Sequence, residues 1–317
     1  MLHFFSNNKP FVLALLPLLL IAHLIFELNF DYFQAGINSD TNITGYYFNT
    51  FQPWSNYLSL VLLLANAIFL NFIFNTHEFW VKSTYIPSFI YILLSFYFPH
   101  SVYLTGEVLA QSFILMILYQ LYSLNQQDDA RKKSFNMGLF TALAVVCNPL
   151  YLVVLPSVMI SLKFIRPFVL REYILLLLGF ILPFIYLLVF DIELSRNLFQ
   201  LLDKFQFSSE NLLLFIVSSI TVGILLSFGI MGLLNRSKTS SIRFKKLRNI
   251  TLSFILFIVL GVGLSIALGG SVYYSSMLIV PLAFILPYSY LSLRIKGLVE
   301  VLILTLLLIS VAKFFIY

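Results

Sequence analysis

Tyr173–Phe190, YILLLLGFILPFIYLLVF, is 18 residues long and carries no charge. As an α-helix it would reach about 27 Å at roughly 1.5 Å per residue, close to the roughly 30 Å of hydrocarbon in a bilayer. A polar backbone crosses hydrocarbon only when its N–H and C=O groups bond to one another, so the stretch predicts a transmembrane helix. Similar runs recur on both sides. Before it, spans fall near Phe11–Phe30, Asn56–Asn75, Tyr85–Pro99 and Glu107–Leu124. After it they fall near Asn211–Leu234, Asn249–Leu268, Met277–Leu293 and Leu298–Tyr317. The 317 residues are 60% apolar and 10% charged, whereas soluble domains run nearer to half and a quarter. The expected fold is all-α: a polytopic helical integral membrane protein of about ten spans, forming a single transmembrane domain over residues 1–317.

The remaining apolar stretch, Phe135–Leu162, is interrupted by Asn148-Pro149. Proline removes a backbone donor and restricts the residue before it, so two half-spans meeting at that break are predicted. Basic residues concentrate in cytoplasmic loops of membrane proteins, which tests the division. With a cytoplasmic amino terminus and an in-and-out excursion at Phe135–Leu162, all basic residues except Arg196, Lys204 and Lys313 fall inside, 16 of 19. A single crossing there would put the basic loop Asn235–Arg248 outside. The excursion is therefore preferred, and it leaves the carboxyl terminus external in a multi-pass protein of the cell's inner (plasma) membrane. Met1–Pro10 leads into an apolar run with no small-residue cleavage site, so the first helix is read as retained.

A net charge of +6 would favour nucleic acid as partner in a soluble chain. Here the basic residues are topology signals, and nucleic acid is excluded as a partner while membrane lipids are expected. Cys147 is the only cysteine, which rules out an intrachain disulfide. No P-loop, dinucleotide fingerprint, His-Glu-x-x-His or Gly-x-Ser-x-Gly pattern occurs. The four histidines, at 3, 23, 77 and 100, map to different sides of the membrane, so no metal site is expected. The sequence names no cofactor. Gly261, Gly263, Gly269 and Gly270 are read as allowing close helix contact or loosening a helix end.

The outer loop, residues 31–55, has no Lys or Arg but holds Asp31 and Asp40 beside Tyr46, Tyr47 and Trp54. Carboxylates next to aromatic platforms suit a sugar or lipid head group, although an interfacial aromatic belt has the same composition. Glu107 opens the fourth span beside Gly106, near His100 and Gln111. A carboxylate near the membrane plane is costly to keep, which makes it a functional candidate. His23 and Glu27, one turn apart, form either a proton relay or a structural hydrogen bond.

Several segments carry a resemblance. They are Glu107 opening a span that ends in Leu121-Tyr122, the loop Asp128–Lys133, the run Gly138-Leu139-Phe140-Thr141-Ala142-Leu143-Ala144, and the outer break Cys147-Asn148-Pro149. Tyr273-Tyr274 before Met277–Ile285 adds to them. Together, over about a third of the chain, they resemble the GT-C class of multi-span glycosyltransferases that use polyprenyl-phosphate-linked sugars. The resemblance implies a GT-C-like helical arrangement and a polyprenyl-phosphate-linked glycan or lipid substrate at the outer face. It further implies an acidic residue of the first outer loop, Asp31 or Asp40, activating an acceptor hydroxyl, with Glu107 completing the catalytic set. Tyr46, Tyr47, Trp54 and His100 are the substrate-binding candidates. The loop departs from the class in its length of about 25 residues and in lacking an Asp-Glu pair. A degenerate relative, or a non-enzymatic transporter or membrane subunit working with other membrane subunits, is the alternative. The chain also resembles a family of small multi-span proteins of Bacteroidota, from which no function carries over.

Overall fold

The computed structural model describes residues 2–6, 11–30, 53–97, 106–124, 129–189, 212–267, 276–293 and 295–312. These are almost entirely helical, with no strand among them. The helices are α1 (Leu2–Ser6), α2 (Phe11–Phe30), α3 (Pro53–Thr76), α4 (Ile86–Tyr97), α5 (Gly106–Tyr122), α6 (Arg131–Cys147) and α7 (Val154–Ile165). Then follow α8 (Leu170–Val189), α9 (Leu212–Lys238), α10 (Ile242–Ala267), α11 (Ile279–Ile285), α12 (Pro287–Leu291) and α13 (Lys296–Ala312). Four helical segments are long and apolar enough to cross a membrane: Tyr57–Thr76, Leu170–Val189, Ser219–Lys238 and Ile242–Leu264. Shorter apolar helices accompany them, at Phe11–Phe26, Ile86–Phe96, Gly106–Tyr122, Pro149–Ile165 and Ser276–Leu291. The chain is thus an all-helical protein whose apolar helices are compatible with a membrane.

Burial divides these helices by place. Residues 86–96 of α4 and 279–290 of α11 and α12 are buried all round and form the centre. By contrast α8 leaves Leu178, Ile185, Tyr186 and Leu188 more than half exposed. A helix apolar on every face must be covered either by protein or by lipid, and α4 and α8 illustrate the two cases. Met277–Leu293, one span by its sequence, is divided at Pro287 into α11 and α12 because proline offers no N–H to the preceding turn.

The break at Asn148-Pro149 sends the chain back the way it came. Lys133 Nζ donates to the Ser123 carbonyl at 3.0 Å, placing the start of α6 beside the end of α5. At its far end Asn148 donates to Glu107 in the first turn of α5. The returning arm, a 3-10 turn over Pro149–Val153 followed by α7, ends at Ile165. The Ile165 carbonyl accepts from Lys246 Nζ near the start of α10 (2.7 Å), and Tyr122 shares a 2.9 Å hydrogen bond with Thr251 of α10. Both arms therefore have their outer ends at one end of the bundle, rich in basic residues, with the turn at the other. Helix α6 holds 17 residues and the returning arm 5 plus 12, also 17. At about 25 Å for α6 and about 28 Å for the returning arm they are longer than the half-spans expected.

Small residues bring neighbours together. A Cβ on Gly138 of α6 would lie 2.0 Å from the Leu176 carbonyl oxygen of α8, and one on Gly179 of α8 would lie 2.2 Å from that of Phe135. The backbones of α6 and α8 thus touch where both side chains are absent. A Cβ on Gly261 would meet the Val153 side chain at 2.8 Å, which fits the expected close contact. Gly263 faces open space, and Gly269 and Gly270 lie outside the described residues.

At the basic end α3 stops in a Schellman turn. Phe79 N–H donates to the Phe74 carbonyl and Glu78 N–H to that of Asn75, while the Phe74 and Phe79 rings stack 5.3 Å apart. Glu78 takes the left-handed position, φ 55°, where glycine is usual. Asn75 then spans the following loop, donating to the Thr84 carbonyl and accepting from Thr84 N–H.

Candidate functional site: a carboxylate at the Asn-Pro break

Glu107 occupies the first turn of α5, where a helix dipole favours negative charge. Each of its oxygens accepts hydrogen bonds from elsewhere in the chain. Oε1 accepts from the Asn148 side-chain amide; Oε2 accepts from the Tyr151 hydroxyl at 3.1 Å and the Ser276 hydroxyl at 2.8 Å. Tyr151 is fully buried, and Asn148 and Ser276 are each 7% exposed. Burial without a partner would penalise all three donors, and one carboxylate serves them together.

The local sequence explains the presentation. Asn148 adopts an extended backbone (φ −151°, ψ 121°) as α6 ends, and Pro149 starts the 3-10 turn without needing a backbone donor. The Asn148 side-chain oxygen caps that turn by accepting from Leu150 N–H at 2.9 Å. Its amide nitrogen is thereby committed to Glu107. Tyr151 is carried on the same turn, and Ser276 arrives from just ahead of α11.

A second polar layer lies one turn deeper. Gln111 Nε2 reaches the Ser276 carbonyl at 3.5 Å, and Gln111 Oε1 accepts from the Tyr91 hydroxyl at 2.6 Å. Tyr91 accepts from Asn66 Nδ2 at 3.3 Å, and Asn66 Oδ1 accepts from Ser112 at 2.9 Å. Gln111, Tyr91 and Asn66 are all buried. Helices α3, α4 and α5, the break and the approach to α11 are thus joined through polar side chains within an otherwise apolar core.

Of the catalytic and substrate-binding candidates chosen from sequence, Glu107 alone has a described side chain. Asp31, Asp40, Tyr46, Tyr47 and His100 lie outside the described residues, as does the Trp54 side chain at the start of α3. In the His23–Glu27 pair the Glu27 side chain is likewise outside, while His23 is buried and stacks on Phe96 at 4.2 Å. Asn148 reads in the sequence as a helix breaker and as part of the GT-C resemblance but not as a partner of Glu107, and Tyr151, Ser276, Tyr91 and Asn66 carry no functional reading there. The available signal was the cost of Asn and Gln inside apolar spans, which demands partners.

Among the described residues no three His, Cys, Asp or Glu side chains group to hold a metal. The groups around Glu107 are donors, so the cluster stabilises a negative charge and does not build a cation cage. At the other end His77 is buried against Tyr119 and Tyr122, its ring nitrogens without a hydrogen-bond partner among the described residues. Burial first, then the charges of Arg243 and Lys133, lower its pKa from 6.5 to about 4, so it is neutral at pH 7.

Compared with protein-family models, with curated proteins and with solved structures, the chain matches none.

Proposed function

We propose that this is a multi-span inner-membrane protein of about ten crossings, its basic end cytoplasmic, that handles a polyprenyl-phosphate-linked glycan or lipid at the Glu107 end. One observation carries the reading. Three segments of the GT-C resemblance that are far apart in sequence, Glu107, Asn148-Pro149 and the approach to Met277, meet on one carboxylate. In this reading Asp31 or Asp40 is the general base toward an acceptor hydroxyl. Glu107 is a positioning residue, because both of its oxygens already accept hydrogen bonds from the chain.

Growth complementation in a deletion strain, with membrane levels checked, tests the proposal. Asp31→Asn or Asp40→Asn should abolish function in a folded protein, since loss of a general base typically costs about 10²- to 10⁴-fold in rate. Full complementation by a chain lacking Asp31, Asp40 and Glu107 would remove the enzyme reading and leave a transporter or assembly subunit. Reporters fused after Lys133 and Arg243 should read cytoplasmic and one after Asp40 external. An external reading at Lys133 would invert every later span.

A further inference from the structure

The far end of the bundle from Glu107 carries a second arrangement. Tyr122, at the opposite end of α5 from Glu107, packs edge-on against Phe79 at 5.1 Å, and the next residue, Trp80, supports Arg236 at the end of α9. The Arg236 guanidinium carbon lies 5.1 Å from the Trp80 ring and 6.0 Å from the Phe244 ring. Trp80 is itself braced edge-on by Tyr288, whose hydroxyl donates to the Phe79 carbonyl at 2.7 Å. Aromatic faces hold a guanidinium in place without using its N–H donors.

Those donors have no protein acceptor among the described residues. Arg236 Nε is buried without a hydrogen-bond partner, and the ion pairs found among those residues are Arg131–Asp129 and Arg166–Glu172. From Asn235 to Arg248 the chain has six basic residues and no carboxylate. Two of the six are engaged internally: Arg248 with Ser237 and Asn249, and Lys246 with the Ile165 carbonyl. Lys238 and Arg243 flank the same turn with exposed side chains that bond to no described residue. A buried donor next to unpaired cations calls for an anion. A planar guanidinium fork fits phosphate oxygens, and a tryptophan at the end of an apolar bundle is where phospholipid phosphates lie.

We propose that Arg236, held between Trp80 and Phe244 and helped by Lys238 and Arg243, binds a phosphate group, with the headgroup of an anionic phospholipid as its nearest source. The site lies at the opposite end from Glu107 and stands whether or not the glycan reading does. It requires only that this end of the bundle meet a membrane surface.

The full chain has two tryptophans, so Trp54→Phe leaves Trp80 as the only indole reporter. In neutral detergent this protein is titrated separately with phosphatidylglycerol, with phosphatidylcholine and with inorganic phosphate. A saturable change in Trp80 emission with phosphatidylglycerol and not phosphatidylcholine is expected. Arg236→Gln should weaken it about tenfold or more and Arg243→Gln about fivefold, as for removal of one surface cation facing anionic lipid. Arg236→Lys should fall between wild type and Arg236→Gln, since it keeps the charge and loses the fork. The same change with millimolar inorganic phosphate would identify free phosphate as a source; its absence would identify the lipid. Equal responses to the two lipids with none to phosphate would overturn the proposal from the Trp54→Phe protein alone, as would an unchanged midpoint in Arg236→Gln.

Discussion

Removing the Glu107 carboxylate should cost the fold more than any single partner of it does. Glu107→Ala strips the acceptor from three donors at once, on Asn148, Tyr151 and Ser276, which are at most 7% exposed. A buried donor without a partner costs about 1–3 kcal/mol, and breaking a buried charged cluster from one side costs about 3–5 kcal/mol. The Ser276 hydroxyl can rotate to another acceptor, so the expected loss is about 3 kcal/mol rather than the full sum. Glu107→Gln should cost less, about 1–2 kcal/mol, because its amide oxygen can still accept from Tyr151 and Ser276. Its NH₂ then faces the Asn148 NH₂, and Asn148 cannot flip because its oxygen is held by Leu150 N–H. The sharper measurement is a double-mutant cycle with Tyr151→Phe, read as Tm of the purified protein in detergent. Alone, Tyr151→Phe removes one hydrogen bond to a charged group, about 1.5–3 kcal/mol; added to Glu107→Ala it removes an orphaned hydroxyl and should cost nothing further. Additive Tm losses in the double variant, or an unchanged Tm in Glu107→Ala, would refute the clamp.

Three further outcomes follow from the packing. Gly138→Ala and Gly179→Ala should each lower Tm, because the added methyl meets backbone oxygen at 2.0 or 2.2 Å and must push α6 and α8 apart, at about 1–3 kcal/mol. Gly223→Ala, with open space around it, should raise Tm slightly, and equal effects at the three sites would count against the close crossing. Glu78→Gly should stabilise the fold by about 1 kcal/mol by relieving the left-handed backbone, and an unchanged or lower Tm would mean that the exposed Glu78 side chain contributes something the turn does not explain. His77 has its pKa lowered by burial and neighbouring cations from 6.5 to about 4, so between these values the unfolded chain binds a proton that the folded chain does not. Stability should therefore fall as pH drops below about 6.5 and level off near 4, and in His77→Phe the difference in Tm between pH 7.5 and pH 5 should shrink; an undiminished difference would assign the acid sensitivity elsewhere.

The helices were legible from sequence because a long uncharged run such as Tyr173–Phe190, whether protein or lipid covers it, has no water to satisfy its backbone and must pair its N–H and C=O groups internally, which a helix does without any tertiary partner. For the same reason most helix limits fall within a few residues of expectation; proline's missing donor marked the break at Asn148-Pro149, and the distribution of basic residues favoured a reversal there over a single crossing. The start of α10 was misjudged: it begins at Ile242 rather than Asn249, because its first turns carry Arg243, Lys245, Lys246 and Arg248, which a search for apolar runs discards. Which apolar helix is central and which is peripheral was not legible, since α4 and the part of α8 from Tyr173 onward are both uncharged and mostly apolar and only packing separates them. The candidate site divides in the same way. Glu107 could be chosen from its local cost, but its partners come from 41, 44 and 169 residues away, a distance across which sequence periodicity carries no information. Sequence determined where helices form and where one must break; tertiary structure alone decided that the break, Tyr151 and Ser276 close on one carboxylate, because only packing brings such distant segments together and burial then penalises any donor left without an acceptor.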